Sequence, residues 1–163
     1  MNTLKTSDLR SLPTEQPLAA ARHLDQMSAL EIARLINKQD ATVARAVEKA
    51  LPQIARAIDE VTSALRHGGR LIYVGAGTSG RLGALDASEI QPTFNTDPRT
   101  VQFIMAGGPK ALGTSTEASE DDTEPAIAEM KKRKPGKHDV VVGIATSGRT
   151  PFTIAAEIGR AHV

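Results

Sequence analysis

The apolar positions of this chain follow two different rhythms. Up to about residue 66 they recur at helical spacing. Ser28-x-x-Glu31 has the form of a capping box, and Leu30, Ile32, Leu35 and Ile36 fall at i, i+3 and i+4 steps, which predicts an amphipathic helix. Asn37–Asp40 reads as a polar break, with Asp40 placed to cap a second helix from Ala41 to about Arg66. Its apolar stripe is Val43, Ala46, Val47, Ala50 and Leu51, continued by Ile54, Ile58, Val61 and Leu65. Pro52 should kink that helix or mark a boundary within it, and His67-Gly68-Gly69 stops it. Ahead of these helices Met1–Gln16 is a polar, loose arm, and part of Leu18–Met27 could be helical. The lead-in either packs on its own domain or faces a partner.

From Leu71 short apolar runs alternate with helical patterns. Strands are predicted at Leu71–Val74, Val101–Ala106 and Val140–Ala145. Helices are predicted at Ser79–Ile90, ended by Pro92, at about Ala111 to Lys134, which Pro125 could break, and at Pro151–Arg160. Strands alternating with helices imply an α/β fold of parallel βαβ units with right-handed crossovers, whose ligands sit at the carboxyl ends of the strands. Two regions are expected, residues 1–68 as arm and helices and 69–163 as the α/β domain.

Composition narrows the chemistry. In 163 residues, 40% hydrophobic and 24% charged residues describe an ordinary globular mix, and 2% aromatics leave the core to Ala, Leu, Ile and Val. A net charge of +1 gives no electrostatic case for nucleic acid. With no cysteine there is no disulfide scaffold, thiol nucleophile or Cys-type zinc site, which fits a reducing compartment. The four histidines show no ligand spacing, so no metal site is expected. No apolar run follows the first charges, and none nears the ~18 residues of a membrane span. The expectation is a cytoplasmic protein with no membrane partner.

The stretch Leu71–Glu89 carries the candidate site. It passes from strand through Gly75-Ala76-Gly77-Thr78-Ser79-Gly80 into a helix with Leu82 and Leu85. Strand, glycine-rich turn and helix make a phosphate-binding arrangement, because Gly77 and Gly80 let the backbone approach and the helix N-terminus presents free N–H groups. Thr-Ser-Gly-Arg then occurs twice, as Thr78–Arg81 and Thr146–Arg149, each time after a strand and before a helix. Thr78, Ser79, Ser147 and Thr150 can donate to phosphate oxygens, Gly148 repeats the open backbone, and Arg81 or Arg149 can neutralise charge. Tight turns with Ser or Thr helix caps would explain one copy; two copies in matched contexts favour a phosphate. Gly75-x-Gly77-x-x-Gly80 also matches a dinucleotide fingerprint, but the second strand ends Met105-Ala106-Gly107-Gly108 with no acid for a ribose, so a sugar phosphate ranks higher.

Glu89 and the acidic run Glu117–Asp122 are the candidate acids and bases. Taken alone, the run reads better as a solvated helix start, Glu89 equally well as a surface residue, Asp86 as structural or as a partner of Arg81, and Lys131–Lys134 as solvated. A helix from Ser79 to Glu89 would separate its ends by roughly 15 Å, more than a hexose phosphate spans comfortably. Either the helix is shorter than this, or Glu89 serves the phosphate loops of another subunit; a site at a dimer interface is the favoured expectation.

The chain resembles the N-acetylmuramic acid 6-phosphate etherase family of the sugar isomerase (SIS) superfamily. The matching blocks are GAGTSGRLGALDASE with Pro92-Thr93-Phe94, Ala106-Gly107-Gly108, Glu117-Ala-Ser-Glu120-Asp121, and Val140-Val-Val-Gly-Ile-Ala with Ser147-Gly-Arg-Thr-Pro151; the lead-in Ser28–Asp59 also matches. The resemblance implies a SIS-type doubly wound parallel sheet, incomplete here, after an N-terminal helical segment. It implies an enzyme, a carbon–oxygen lyase that cleaves the D-lactyl ether of N-acetylmuramic acid 6-phosphate to N-acetylglucosamine 6-phosphate and D-lactate in cell-wall amino sugar recycling. The implied chemistry is elimination and hydration without a cofactor, in a homodimer. By position Glu89 corresponds to the acid that protonates lactate and Glu120 to the second catalytic glutamate, with Glu117 as the fallback. Gly77, Thr78, Ser79, Gly80, Arg81, Ser147, Gly148, Arg149 and Thr150 correspond to the phosphate site. Family members continue well past residue 163, so the isolated chain is expected to be a truncated product, poorly stable and inactive. Two rival readings share the fold: a non-catalytic sugar-phosphate-binding regulator, such as the glucokinase regulatory protein, and an aldose–ketose isomerase.

Overall fold

In the computed structural model, residues 16–114 and 119–160 are described. The chain divides into two compact units, Met1–Ala57 and Ile58–Val163. In the first, Ala19–Ala21 and Leu24–Gln26 are single 3-10 turns, and the helix α1 (Ala29–Arg66) begins behind them. The capping box forms as expected. Ser28 donates to Glu31 Oε2 through its backbone N–H at 2.8 Å and its hydroxyl at 2.6 Å, while the Glu31 N–H reaches back to Ser28 Oγ at 3.4 Å. The Ser28 hydroxyl and backbone bonds hold the Glu31 carboxyl below its ordinary value.

The expected break at residues 37–40 is absent, and Asp40 caps nothing. Asn37, Lys38, Gln39 and Asp40 include neither Gly nor Pro, and the seven-residue step from Ile36 to Val43 keeps the stripe on one face, so the helix propagates. It also continues past Pro52, which has no N–H to give the Glu48 carbonyl. Leu30, Ile36, Val43, Val47, Leu51 and Ile54 are exposed along this part of α1.

The second unit contains the end of α1 and three parallel strands, β1 (Leu71–Gly75), β2 (Val101–Met105) and β3 (Val140–Ile144), in the order β2-β1-β3. The register pairs Leu71 with Val101 and Val140, and Gly75 with Met105 and Ile144. Three helices follow the strands: α2 (Gly77–Phe94), α3 (Glu124–Arg133) and α4 (Pro151–Arg160). Ile72 and Val74 join Ile104, Ala126, Met130, Phe152 and Ala156 in the core on one face of the sheet. Tyr73 faces α2, where a Cβ on Gly83 would come within 3.0 Å of its own Cβ. The Tyr73 hydroxyl donates to Asp86 at 2.8 Å; burial, and then that carboxylate, push it up to about 12. Asp86 therefore pairs with Tyr73 and not with Arg81.

Two helix boundaries differ from expectation for reasons of proline chemistry. Pro92 does not end α2, which continues to Phe94 and stops at left-handed Asn95, because a proline near a helix end forfeits a single hydrogen bond. Between β2 and β3, a 3-10 turn at Gly108–Leu112 precedes α3, and Pro125 sits in the first turn of that helix, where its missing N–H has no intrahelical partner to lose. Lys131, Lys132 and Arg133 occupy the last turn of α3, where positive charge suits the helix dipole.

At the amino edge of the sheet Arg70 Nη2 meets Asp139 Oδ2 at 2.6 Å, and the Arg70 N–H donates to Asp139 Oδ1 at 2.7 Å. Arg70 Nη2 also reaches the carbonyls of Arg133 and Lys134, tying the end of α3 to the start of β1. The rings of His67 and His138 stack with centroids 5.6 Å apart. No helix among the described residues is long and apolar enough to cross a membrane, and no group of three or more His, Cys, Asp or Glu among them could hold a metal ion.

Candidate functional site

The strand order sets the position of the site. The chain leaves β1 toward β2 and returns across it to β3, so the carboxyl ends of β1 and β3 form a topological switch point, where open α/β sheets bind ligands. Gly75 and Ile144 lie side by side there, and the two Thr-Ser-Gly-Arg segments follow on the same sheet edge.

The first segment lies inside the opening turn of α2. Ala76 is extended, at φ −124° and ψ 161°, and has no capping side chain; Gly77 then turns the chain at φ +54°. The N–H groups of the first turn have no intrahelical carbonyl to meet, and among the described residues no side chain is bonded to them, so they can receive an anion. Thr78 is exposed and Ser79 half-buried. Gly80 is buried, and its N–H donates to the Ala76 carbonyl at 2.9 Å. A Cβ on Gly80 would lie 2.7 Å from the Gly75 oxygen, so strand and helix meet backbone to backbone.

The second segment is an exposed loop. Gly148 has φ +64°, and the Arg149 N–H donates to Ser147 Oγ at 3.2 Å. Thr150 is half-buried, and its carbonyl accepts the Ile154 N–H at 3.1 Å as α4 begins.

Glu120 connects the two. Its carbonyl accepts the Phe152 N–H in the first turn of α4 at 3.1 Å. Its Oε1 stands 2.7 Å from where a Cβ on Gly77 would be, so the carboxylate touches the mouth of the first turn. Glu89 is not brought to this place within one chain. It is exposed on α2, twelve residues past Gly77 and hence roughly 18 Å along the axis. The helix starts earlier than the sequence suggested, so the expected separation widens. Glu117 lies outside the described residues.

Arg81 has a different setting from Arg149. Its Nε donates to the carbonyls of Ala111 at 3.0 Å and Leu112 at 3.2 Å, and its Nη2 to that of Thr114 at 3.2 Å. Arg149 is exposed and makes no ion pair among the described residues. The sequence pattern missed the Phe152 N–H and these carbonyls, because main-chain partners leave no residue-type signature. A cavity of about 510 Å3 opens near the carboxyl end of β2, against Met105, Pro109, Ser119 and Phe152. None of residues 77–81 or 146–150 lines it, so it does not define the switch-point site.

The profile of the glucokinase regulatory protein N-terminal SIS domain matches residues 53–161, which takes in the sheet and both loops. The chain belongs to the SIS-domain family. The resemblance to the N-acetylmuramic acid 6-phosphate etherases is borne out as well. The chain is 55% identical over 150 residues to the N-acetylmuramic acid 6-phosphate etherase of Symbiobacterium thermophilum, covering 91% of this chain and 49% of that protein. It is 51% identical over 157 residues to the etherase of Streptomyces avermitilis, covering 96% and 50%, and 49% identical over 152 residues to etherase 1 of Enterococcus faecalis, covering 93% and 51%. The chain spans about half the length of the curated relatives it matches. In this SIS domain the two loops at the switch point thus coincide with the part of the sheet that the family profile covers.

Proposed function

We propose that the protein carrying this chain cleaves the D-lactyl ether of N-acetylmuramic acid 6-phosphate, giving N-acetylglucosamine 6-phosphate and D-lactate. One observation carries this reading. The Glu120 carboxylate stands at the helix N-terminus that opens α2, and its carbonyl accepts the Phe152 N–H of the helix that follows the second matched loop, so a carboxylate and the two matched segments share one sheet edge. The relatives that share about half of its residues bear the etherase name.

The open N–H groups of Gly77, Thr78 and Ser79, with Gly80 closing the turn, and Ser147, Gly148, Arg149 and Thr150 hold the 6-phosphate. Glu120 takes the C2 proton, made acidic by the aldehyde at C1 of the open-chain sugar. The C2–H electron pair becomes the C2–C3 double bond as the C3–O bond breaks, and Glu89 protonates the departing lactate oxygen. Water then adds its oxygen to C3 and a proton returns to C2, restoring both carboxyl groups. This makes the protein a carbon–oxygen lyase of peptidoglycan amino sugar recycling, acting in the cytoplasm on a sugar already phosphorylated. Because Glu89 stands roughly 18 Å from the turn of its own chain, the reading places the site in a homodimer in which α2 of one copy supplies the acid to the loops of the other.

D-lactate release from N-acetylmuramic acid 6-phosphate tests this. Glu89→Gln and Glu120→Gln should each lower the rate by at least about 100-fold while inorganic phosphate still binds. Phosphate binding without lactate release would favour the regulator, and a ketose product the isomerase.

A further inference from the structure

Arg81 belongs to the first Thr-Ser-Gly-Arg segment, yet it faces main-chain oxygens rather than the open helix terminus. Its three hydrogen bonds go to the carbonyls of Ala111, Leu112 and Thr114, at the end of the 3-10 turn Gly108–Leu112. The last carbonyls of such a turn have no partner of their own, and a guanidinium carries five donors in a planar fork and no acceptor, so one arginine satisfies several at once. The turn lies on the stretch of chain that leads from β2 to Glu120. Arg81 stands one helical turn from Gly77, and Gly77 is the residue whose missing Cβ leaves room for the Glu120 carboxylate. The opening turn of α2 therefore grips that stretch upstream through Arg81 and receives the carboxylate at Gly77. The Phe152 N–H holds the Glu120 carbonyl from the other side.

We propose that Arg81 is a positioning residue for Glu120, anchoring the Ala111–Thr114 backbone to the first turn of α2, while charge neutralisation of the bound anion falls to Arg149. The proposal rests on the etherase reading for its catalytic consequence, although the anchoring itself is independent of any substrate. Lysine keeps the charge but gathers its donors on one atom, so it cannot reproduce the separate Nε and Nη2 contacts of the fork.

The test compares Arg81→Gln and Arg81→Lys with the unaltered protein in two measurements. In D-lactate release, both variants should lose about 100-fold in kcat, the cost of a displaced catalytic group, with KM and inhibition by inorganic phosphate unchanged within twofold. In amide hydrogen exchange, protection should fall at least about tenfold within residues 108–114 and 119–122 and stay unchanged in β1 and β3, and the unchanged strands show that the variants are folded. A variant with full kcat and tenfold weaker phosphate inhibition would make Arg81 an anion ligand and overturn the proposal. Exchange unchanged in residues 108–114 and 119–122 would overturn it as well. If the unaltered protein releases no lactate, the etherase reading fails, and the exchange measurement still decides whether Arg81 is the anchor.

Discussion

Residues 78–81 and 146–149 have identical sequence and follow neighbouring strands, but one is the first turn of a helix and the other a loop. Their surroundings explain the difference. The first copy begins two residues after Ala76, and Gly80 lies directly on the Gly75 backbone, so the helix must start at once for strand and helix to fit. The second copy precedes Pro151. A proline is well placed at the first position of a helix, and it disfavours helical geometry in the residue before it, so α4 starts at Pro151 and leaves the loop outside. Four residues thus serve two roles. The helical copy is locked by packing and by Arg81, whereas the loop copy keeps its hydroxyls and guanidinium exposed.

Substitution of the paired glycines should separate the copies most strongly. Gly80→Ala would force a methyl to 2.7 Å from the Gly75 oxygen and should lower stability by about 3 kcal/mol in denaturant unfolding. Among the described residues nothing lies within 4 Å of such a methyl at Gly148, so Gly148→Ala meets the strain of φ +64° and should cost about 1 kcal/mol. Equal losses would remove the distinction between a packed and a free copy. Arg149→Gln comes next: inhibition by inorganic phosphate should weaken about tenfold, with the unfolding midpoint unchanged, as expected for an exposed side chain outside the core.

The smallest effect lies at the opposite edge of the sheet and serves as a control. Burial raises the Asp139 carboxyl, but the Arg70 side chain and the N–H groups of Gly136 and Arg70 outweigh it and bring it below its ordinary 3.8. A depressed folded value means that its contribution is complete above that ordinary value and is lost as the pH falls through the lower one. Asp139→Asn should therefore flatten the fall in melting temperature below about pH 4 and leave phosphate inhibition as it was. A loss of phosphate inhibition in that variant would show that the two edges are coupled.

Much of this organisation is legible in the sequence wherever a local pattern has one physical solution. The three strands, the capping box at Ser28 and the span of α4 follow from apolar runs, a four-residue motif and a proline. The helices that depart from the sequence pattern share a cause. Asn37–Asp40 and Pro92 look like breaks, but a polar run costs a helix little and a proline near its end removes one bond, so tertiary context decides. At the site, the repeated tetrapeptide and its place after two strands point to the sheet edge, and the family resemblance singles out Glu120. Neither distinguishes Arg81 from Arg149, because what separates them is a set of carbonyls thirty residues away.

The contact of Gly75 with Gly80 has a further consequence. Either residue, given a side chain, collides with the main chain of the other, so no compensating pair of larger residues can relieve the clash. Randomising both positions together under selection for folding should return glycine at each, whereas positions 146, 147 and 149 of the loop should accept many replacements under the same selection. Variation among descendants of this fold would then fall on the second loop, which is free to adapt to anions of other shapes around an invariant joint.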